Sequence, residues 1–291
     1  FENTVRHFEE ALRSFDRADP RCRATSFSVN TAVMALVFLS HTVWHLGHPD
    51  RALDLIREAT AFADDLAHPF SQAVARGYAS MLRQFRGEVA EAAAHAEETC
   101  MISSRYDFPY YHAWGTIIRG WARSRQGQAE QGESNIRDGL EVMDSQGARL
   151  RRPYYLGLLA EAILATGRRR ESQTLLDEAL ELSRKTGERW MESDLHRRRG
   201  EVLALAGDAA AAGAAFRRAL EVAREQRARS PELRALVGLT RLSRNRDDAV
   251  EVCGALARLY AVFREGLDTP VLEEARQLLD DVRGERHGRT A

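Results

Sequence analysis

The sequence predicts an all-α solenoid of stacked helix pairs, and three observations carry that prediction. Glycine recurs at a step of 40 residues, at Gly47, Gly87, Gly127, Gly167 and Gly207, in a 291-residue chain with 20 glycines. Small residues keep the same step on both sides of it. Seven residues earlier stand Ser40, Ser80, Gly120, Ala160 and Gly200, and five later stand Ala52, Ala92, Gly132, Ser172 and Ala212. Alternating apolar and polar runs bounded by turn signals, the pattern of a half-buried strand, do not occur. A repeat of this length marks an architecture in which each unit covers the apolar face of its neighbour.

The elements follow in order. The start, "HFEEAL" (His7 to Leu12), matches "AFRRAL" (Ala215 to Leu220), so residues 1–26 read as the second helix of a preceding repeat plus an insertion. Phe8 to Ile56 is 48 residues, not 40, which places about eight inserted residues near "DRADPRCRAT". Residues 27–265 then hold six helix pairs, beginning near 27, 67, 107, 147, 187 and 227. Within a pair, a segment such as "YYLGLLAEAILAT" forms the first helix and "RESQTLLDEALELSRK" the second, with Leu175, Leu176, Ala179, Leu180 and Leu182 on one side. The glycine sits between them, where a positive φ is needed and costs it nothing. Pro69 and Pro109 share one column, and Phe70, Tyr110 and Trp190 the next. The sixth pair carries "RNRDD" in place of the glycine turn. Residues 266–283 read as a capping helix with Asp268 or Thr269 as N-cap and Pro270 in its first turn, and 284–291 as a frayed tail.

Composition removes several function classes. A net charge of −1 gives no general attraction to nucleic acid or an acidic membrane. No apolar run approaches the ~18 residues of a membrane span. The charged, amphipathic start "FENTVRHFEEALRSF" is no signal peptide, and its lack of Met suggests a piece of a longer chain. Cys22, Cys100 and Cys253 lie far apart in no CxxC pair, which fits buried thiols in a reducing cytoplasm. Lys185 follows Arg184 and is the only lysine, so no phosphate-binding Gly-Lys loop exists here. His41, His45 and His48 lack a Cys or carboxylate partner at metal-ligand spacing, and neither metal nor cofactor is expected. Arg168, Arg169 and Arg170 occupy a turn whose equivalents elsewhere carry acids, such as Glu88 and Asp208, so they read as a solvated turn, and nucleic acid is not expected as a partner.

The small residue before the turn, the turn glycine, the small residue after it and the later "FRRAL" or "LDEAL" together resemble the tetratricopeptide repeat. That repeat has ~34 residues, against 40 here. The resemblance implies a right-handed α–α superhelix. Longer strings, among them "HPFSQAVARGYASMLRQFRGE", "WGTIIRGWARSRQGQAEQGESNIRDGL", "RRPYYLGLLAEA", "KTGERWMESDLHRRRGEVL" and "LYAVFREGLDTPVLEEARQLLDDV", resemble the C-terminal region of large bacterial signalling proteins. In those proteins a nucleotidyl-cyclase or DNA-binding domain and an AAA-like ATPase precede tetratricopeptide-like repeats. The resemblance implies a non-catalytic sensing or docking arm in the cytoplasm, whose partner is a protein or peptide, the ATPase domain of its own chain among the candidates.

By the same resemblance, first-helix columns 13, 10, 6 and 3 residues before the turn glycine line a concave groove. They place Met34, Trp114, Tyr154 and Asp194 in the first column, Arg197 in the second, His41, Met81, Trp121, Glu161 and Glu201 in the third, and Trp44 in the fourth. The groove is then aromatic in the middle and charged toward the C-terminal end. Large aromatics beside arginine are common anchors for a peptide. The alternative is that Trp114 and Trp121, seven residues apart on one helix face, are core between units. A further alternative is a metabolite held in the groove.

Overall fold

The computed structural model describes residues 1–16, 28–243 and 248–288, and these form fourteen helices and no strand. Among the described residues an N-terminal helix, α1 (Glu2–Ser14), precedes six pairs: α2 (Thr31–His45) with α3 (Pro49–Asp65), α4 (Pro69–Arg86) with α5 (Val89–Tyr106), α6 (Pro109–Arg125) with α7 (Ala129–Ser145), α8 (Arg152–Ala165) with α9 (Arg169–Thr186), α10 (Glu192–Leu205) with α11 (Ala209–Glu225), and α12 (Arg229–Ser243) with α13 (Ala249–Tyr260). The last helix, α14 (Pro270–Gly288), follows them. The chain divides into two compact units, Phe1–Leu150 with α1–α7 and Arg151–Ala291 with α8–α14.

The paired small-residue columns meet at the helix crossings. A Cβ on Gly120 would stand 2.6 Å from the carbonyl oxygen of Gly132, and one on Gly132 2.5 Å from that of Gly120, so α6 and α7 touch backbone to backbone. In two other pairs the same contact is a hydrogen bond. The Ser40 hydroxyl donates to Ala52 O at 2.8 Å, and the Ser172 hydroxyl to Ala160 O at 2.7 Å. Phe216, fully buried, fills a slot between Gly200 and Gly238, where an added Cβ would lie 2.8 and 2.5 Å from its ring.

First helices are buried nearly all round, and second helices along one stripe. Along α9 only Ser172, Leu176, Ala179 and Ser183 are buried, whereas α8 is buried from Pro153 to Ala160. That is the difference between a helix packed on several sides and one with a solvated face. In the first unit α1 takes the place of a second helix against α2. Phe8 stacks on Phe38 at 5.6 Å, Phe1 on His45 at 4.7 Å, and Phe15 meets Phe62 edge-on at 6.0 Å.

The turn glycines all have positive φ, from 82° at Gly87 to 94° at Gly47. A second series at the same step joins each pair to the next and holds glycine at only two of its five positions: Ala67 (49°), Asp107 (55°), Gly147 (68°), Gly187 (74°) and Arg227 (53°). Both turns close alike. His48 N–H reaches back to Val43 O at 3.0 Å, and Phe108 N–H to Ser103 O at 2.9 Å. The insertion near residues 17–27, with Cys22, and most of "RNRDD" lie outside the described residues. Helix α14 runs to Gly288, past residue 283 where the sequence reading ends it; no proline interrupts residues 284–288, although two of the five are glycine. Thr269 precedes its first turn and accepts backbone N–H bonds from Leu272 and Glu273 at 3.0 Å, while its hydroxyl donates to Gly266 O at 2.6 Å.

Candidate functional site

The predicted groove residues fall into two groups of different character, one in each unit. In the first unit they are packed inside. Trp114 is 0% exposed, and Met81, Trp121, Trp44 and His41 are buried; Met34 is half-buried. The rings form a continuous chain of tilted and edge-on contacts: Trp44 with Phe85 at 4.9 Å, His41 with Phe85 at 5.1 Å and with Tyr78 at 4.9 Å, and Tyr78 with Trp114 at 4.9 Å. His41 Nε2–H donates to Tyr78 O at 2.9 Å, and His45 Nδ1–H to His41 O at 2.8 Å, so backbone carbonyls engage both imidazoles. These side chains therefore present no open aromatic surface. They fill the space between successive first helices, because burying such rings is worth more than presenting them to water.

In the second unit the same columns bring charges together. Asp194, on α10, is 4% exposed and sits among three guanidinium groups. Arg197 Nε donates to its Oδ1 at 2.8 Å, Arg198 Nε to its Oδ2 at 2.7 Å, and Arg234 Nη1, from α12, lies 3.2 Å from Oδ1. Two glutamates flank the cluster. Arg197 Nη1 donates to Glu201 Oε1 at 2.6 Å, and Arg198 Nη1 donates to Glu161 of α8. Arg241 lies 4.0 Å from Glu201 and pairs with Glu274 of α14 at 2.9 Å. Tyr154 is buried beside them, and Trp190 packs on its ring at 5.5 Å.

The electrostatics follow from this crowding. Burial by itself would raise the Asp194 carboxyl, but the positive charges of Arg197, Arg198 and Arg234 overcome it and hold the group well below the usual carboxylate range. Burial pushes the Tyr154 phenol well above its ordinary value. Arg234 goes the other way from its neighbours. Burial, with Arg197 and Arg198 beside it, pulls it down to about 10 against the attraction of Asp194 and Glu201.

Sequence reading named Tyr154, Glu161, Asp194, Arg197 and Glu201 and missed Arg198, Arg234 and Arg241. Two of those were within reach. One more step of 40 from Asp194 is Arg234, and one more from Glu201 is Arg241. The columns stopped at five because the sixth pair lacks the turn glycine that sets the register. Arg168 is exposed and locally held, its Nε donating to Thr166 Oγ1 at 3.0 Å and its Nη1 to Glu171 at 3.0 Å. Cys100 and Cys253 are free and buried. None of the described helices is long and apolar enough to cross a membrane.

No protein-family model matches the chain. It is similar to an uncharacterized protein of Rhizobium meliloti (strain 1021), 24% identical over 226 residues, which is 77% of this chain and 22% of that protein. The chain thus spans about a fifth of the length of the curated relative it matches. Among solved structures it is similar to a Rap protein complexed with Competence and Sporulation Factor (TM-score 0.64, 15% identity, 99% of this chain and 90% of that one). It is also similar to aspartyl phosphate phosphatase F from Bacillus subtilis (TM-score 0.59, 10% identity, 90% and 65%) and to BtubC from P. vanneervenii (TM-score 0.51, 19% identity, 77% and 91%). The fold is the all-α, tetratricopeptide-like helical-repeat class.

Proposed function

We propose that this chain is a non-catalytic docking module that binds a protein or peptide through the polar first-helix columns of its second unit. It would serve as the sensing or regulatory arm of a larger signalling or transcription-regulating ATPase in the cytoplasm. The observation that carries the reading is the cluster around Asp194. A scaffold selected for stability alone gains little from a buried ion network, since well-packed apolar residues of similar volume are as stabilising or more so. The first unit fills the equivalent columns in that way. Placing paired charges there, with Glu161, Glu201 and Arg241 still partly reachable by water, suits recognition of a polar partner, where complementarity sets specificity and register. The bound factor in the similar Rap structure supports a docking reading. The match to a short stretch of a longer relative supports an arm of a larger protein.

The test is quantitative capture by the purified chain and its Arg241→Glu variant, with melting temperatures recorded beside it. Arg241 is half exposed, so the reversal should leave the fold intact. Capture of a protein or peptide that weakens at least tenfold in the variant, a change of about 1.4 kcal/mol, is the expected result. Equal capture by both proteins would move the docking surface elsewhere.

A further inference from the structure

The three arginines around Asp194 are not equivalently satisfied. Arg197 has two carboxylates, Asp194 and Glu201. Arg198 also has two, Asp194 and Glu161. Arg234 has one: among the described residues it pairs with Asp194 alone, through an oxygen that already accepts from Arg197 Nε. A guanidinium offers five N–H donors in a planar fork matched to both oxygens of a carboxylate. Arg234 spends little of that fork on the protein and keeps 18% of its side chain exposed. Its position is nonetheless fixed, since it projects from α12 onto a carboxylate buried on α10.

We infer that Arg234 is the receptor for a carboxylate carried by the ligand of the second unit. The ligand group completes for Arg234 what Glu201 and Glu161 complete for its two neighbours. This assignment rests on the docking reading above and gives it a chemical class. A carboxylate fits better than a phosphate. Carboxylates are what Arg197 and Arg198 already hold here, and with Asp194, Glu161 and Glu201 against three arginines the cluster is neutral in sum, so no surplus positive charge favours a doubly charged phosphate over a single carboxylate. The low pKa of Arg234, about 10, agrees with a cation short of partners. Two sources share this chemistry: a peptide, through its C-terminus or an Asp or Glu side chain, and a small free organic acid.

The experiment uses the 291-residue chain, Arg234→Gln and Arg197→Gln. Without ligand, Arg234→Gln should melt at or above the wild-type temperature, because Asp194 keeps Arg197 and Arg198. Arg197→Gln should melt clearly lower. If Arg234→Gln falls as far as Arg197→Gln, Arg234 is structural and the inference is overturned. Binding is then measured with three probes: random hexapeptides with a free C-terminal carboxylate, the same pool amidated and free of Asp and Glu, and succinate. The expected result is peptides retained from the first pool, none from the second, and at least tenfold weaker binding of the retained peptides by Arg234→Gln. Equal retention from the amidated pool, unaffected by Arg234→Gln, overturns the carboxylate assignment and leaves the docking reading standing. Arg234-dependent binding of succinate without any peptide upholds the assignment and replaces docking by small-acid sensing. No binding of any probe overturns the inference.

Discussion

Column by column, the two units are the same helix pair filled with different chemistry. Thirteen residues before the turn, the first unit carries Met34, Val74 and Trp114 and the second Tyr154, Asp194 and Arg234. Six before it, the first carries His41, Met81 and Trp121 and the second Glu161, Glu201 and Arg241. The backbone at these positions is set by the turn and by the small residues at the crossing, and neither depends on what projects from the column. The repeat thus fixes where a first-helix side chain goes and leaves its chemistry open. In the first unit that freedom is used for aromatic packing, and the ion pairs lie off these two columns, as where Arg86 donates to Pro49 O at 2.6 Å and Glu88 at 2.7 Å and Arg76 pairs with Asp64 at 2.9 Å. In the second it is used for a buried ion network.

The contrast predicts different responses to changes of equal size. Asp194→Asn keeps the volume and removes the charge that Arg197, Arg198 and Arg234 share. Stranding buried charges costs about 3–5 kcal/mol, and added salt should recover little of it because the site is shielded from mobile ions. Trp114→Phe in the first unit trims a ring that other rings surround and should cost about 1–3 kcal/mol. Urea unfolding of the two variants decides the matter. If Asp194→Asn loses less than Trp114→Phe, the network is loosely coupled and the contrast between the units is only compositional.

The second unit should also be the more acid-sensitive. His196, on α10, has its pKa pulled down to about 4, first by burial and then by Arg218 and Arg199, against Glu192 and Glu221. The unfolded chain takes up this proton near pH 6.5 and the folded chain only near 4, so protonation favours unfolding. The His196 contribution is complete above pH 6.5 and is lost as pH falls from there to about 4, by ~1–2 kcal/mol after allowance for its partial exposure. Asp194 acts in a separate, lower window: its depressed pKa stabilises the fold above the ordinary Asp value of about 3.9 and fails below it. His196→Gln should flatten stability between pH 6.5 and 4 and leave the lower loss in place. An unchanged slope would assign the upper window to other groups.

How much of this was legible in sequence depends on what sets each feature. The helix pairs were, because the steric demand of the crossing leaves only Gly, Ala and Ser at columns such as Gly120 and Gly132 in the first five pairs. The charged end of the columns was too, through Asp194, Arg197 and Glu201. The fate of Trp114 and Trp121 was not. An aromatic residue on a first-helix face satisfies an open groove and a filled one equally, and the choice depends on how tightly neighbouring first helices approach. The pairing of Arg234 with Asp194 was also out of reach, since it depends on α10 and α12 lying side by side, whereas Asp194 and Arg198 stand four residues apart on one helix, a spacing the sequence does show. The second turn series was hidden for a subtler reason. Its left-handed residue is tolerated as Ala67, Asp107 or Arg227, so the backbone repeats where the sequence does not.

That hidden series supplies the smallest effect and the sharpest comparison between the units. Ala67 in the first and Gly187 in the second hold the same turn position, at φ 49° and 74°. Ala67 is exposed, and nothing lies within 4 Å of a Cβ added at Gly187, so backbone conformation alone should govern both exchanges. Relieving a left-handed alanine gains about 1–2 kcal/mol, and the freedom glycine adds to the unfolded chain returns roughly 0.4–1 kcal/mol of it. Ala67→Gly should therefore raise stability by about 0.5–1 kcal/mol, and Gly187→Ala should lower it by a similar amount. Both are read as shifts in urea midpoint at constant slope. Opposite signs of similar size would mean that the two units share one backbone device under different side chains. A neutral Ala67→Gly beside a costly Gly187→Ala would mean that the first unit relaxes its turn when glycine is absent, and that the repeat is less regular in backbone than its angles imply.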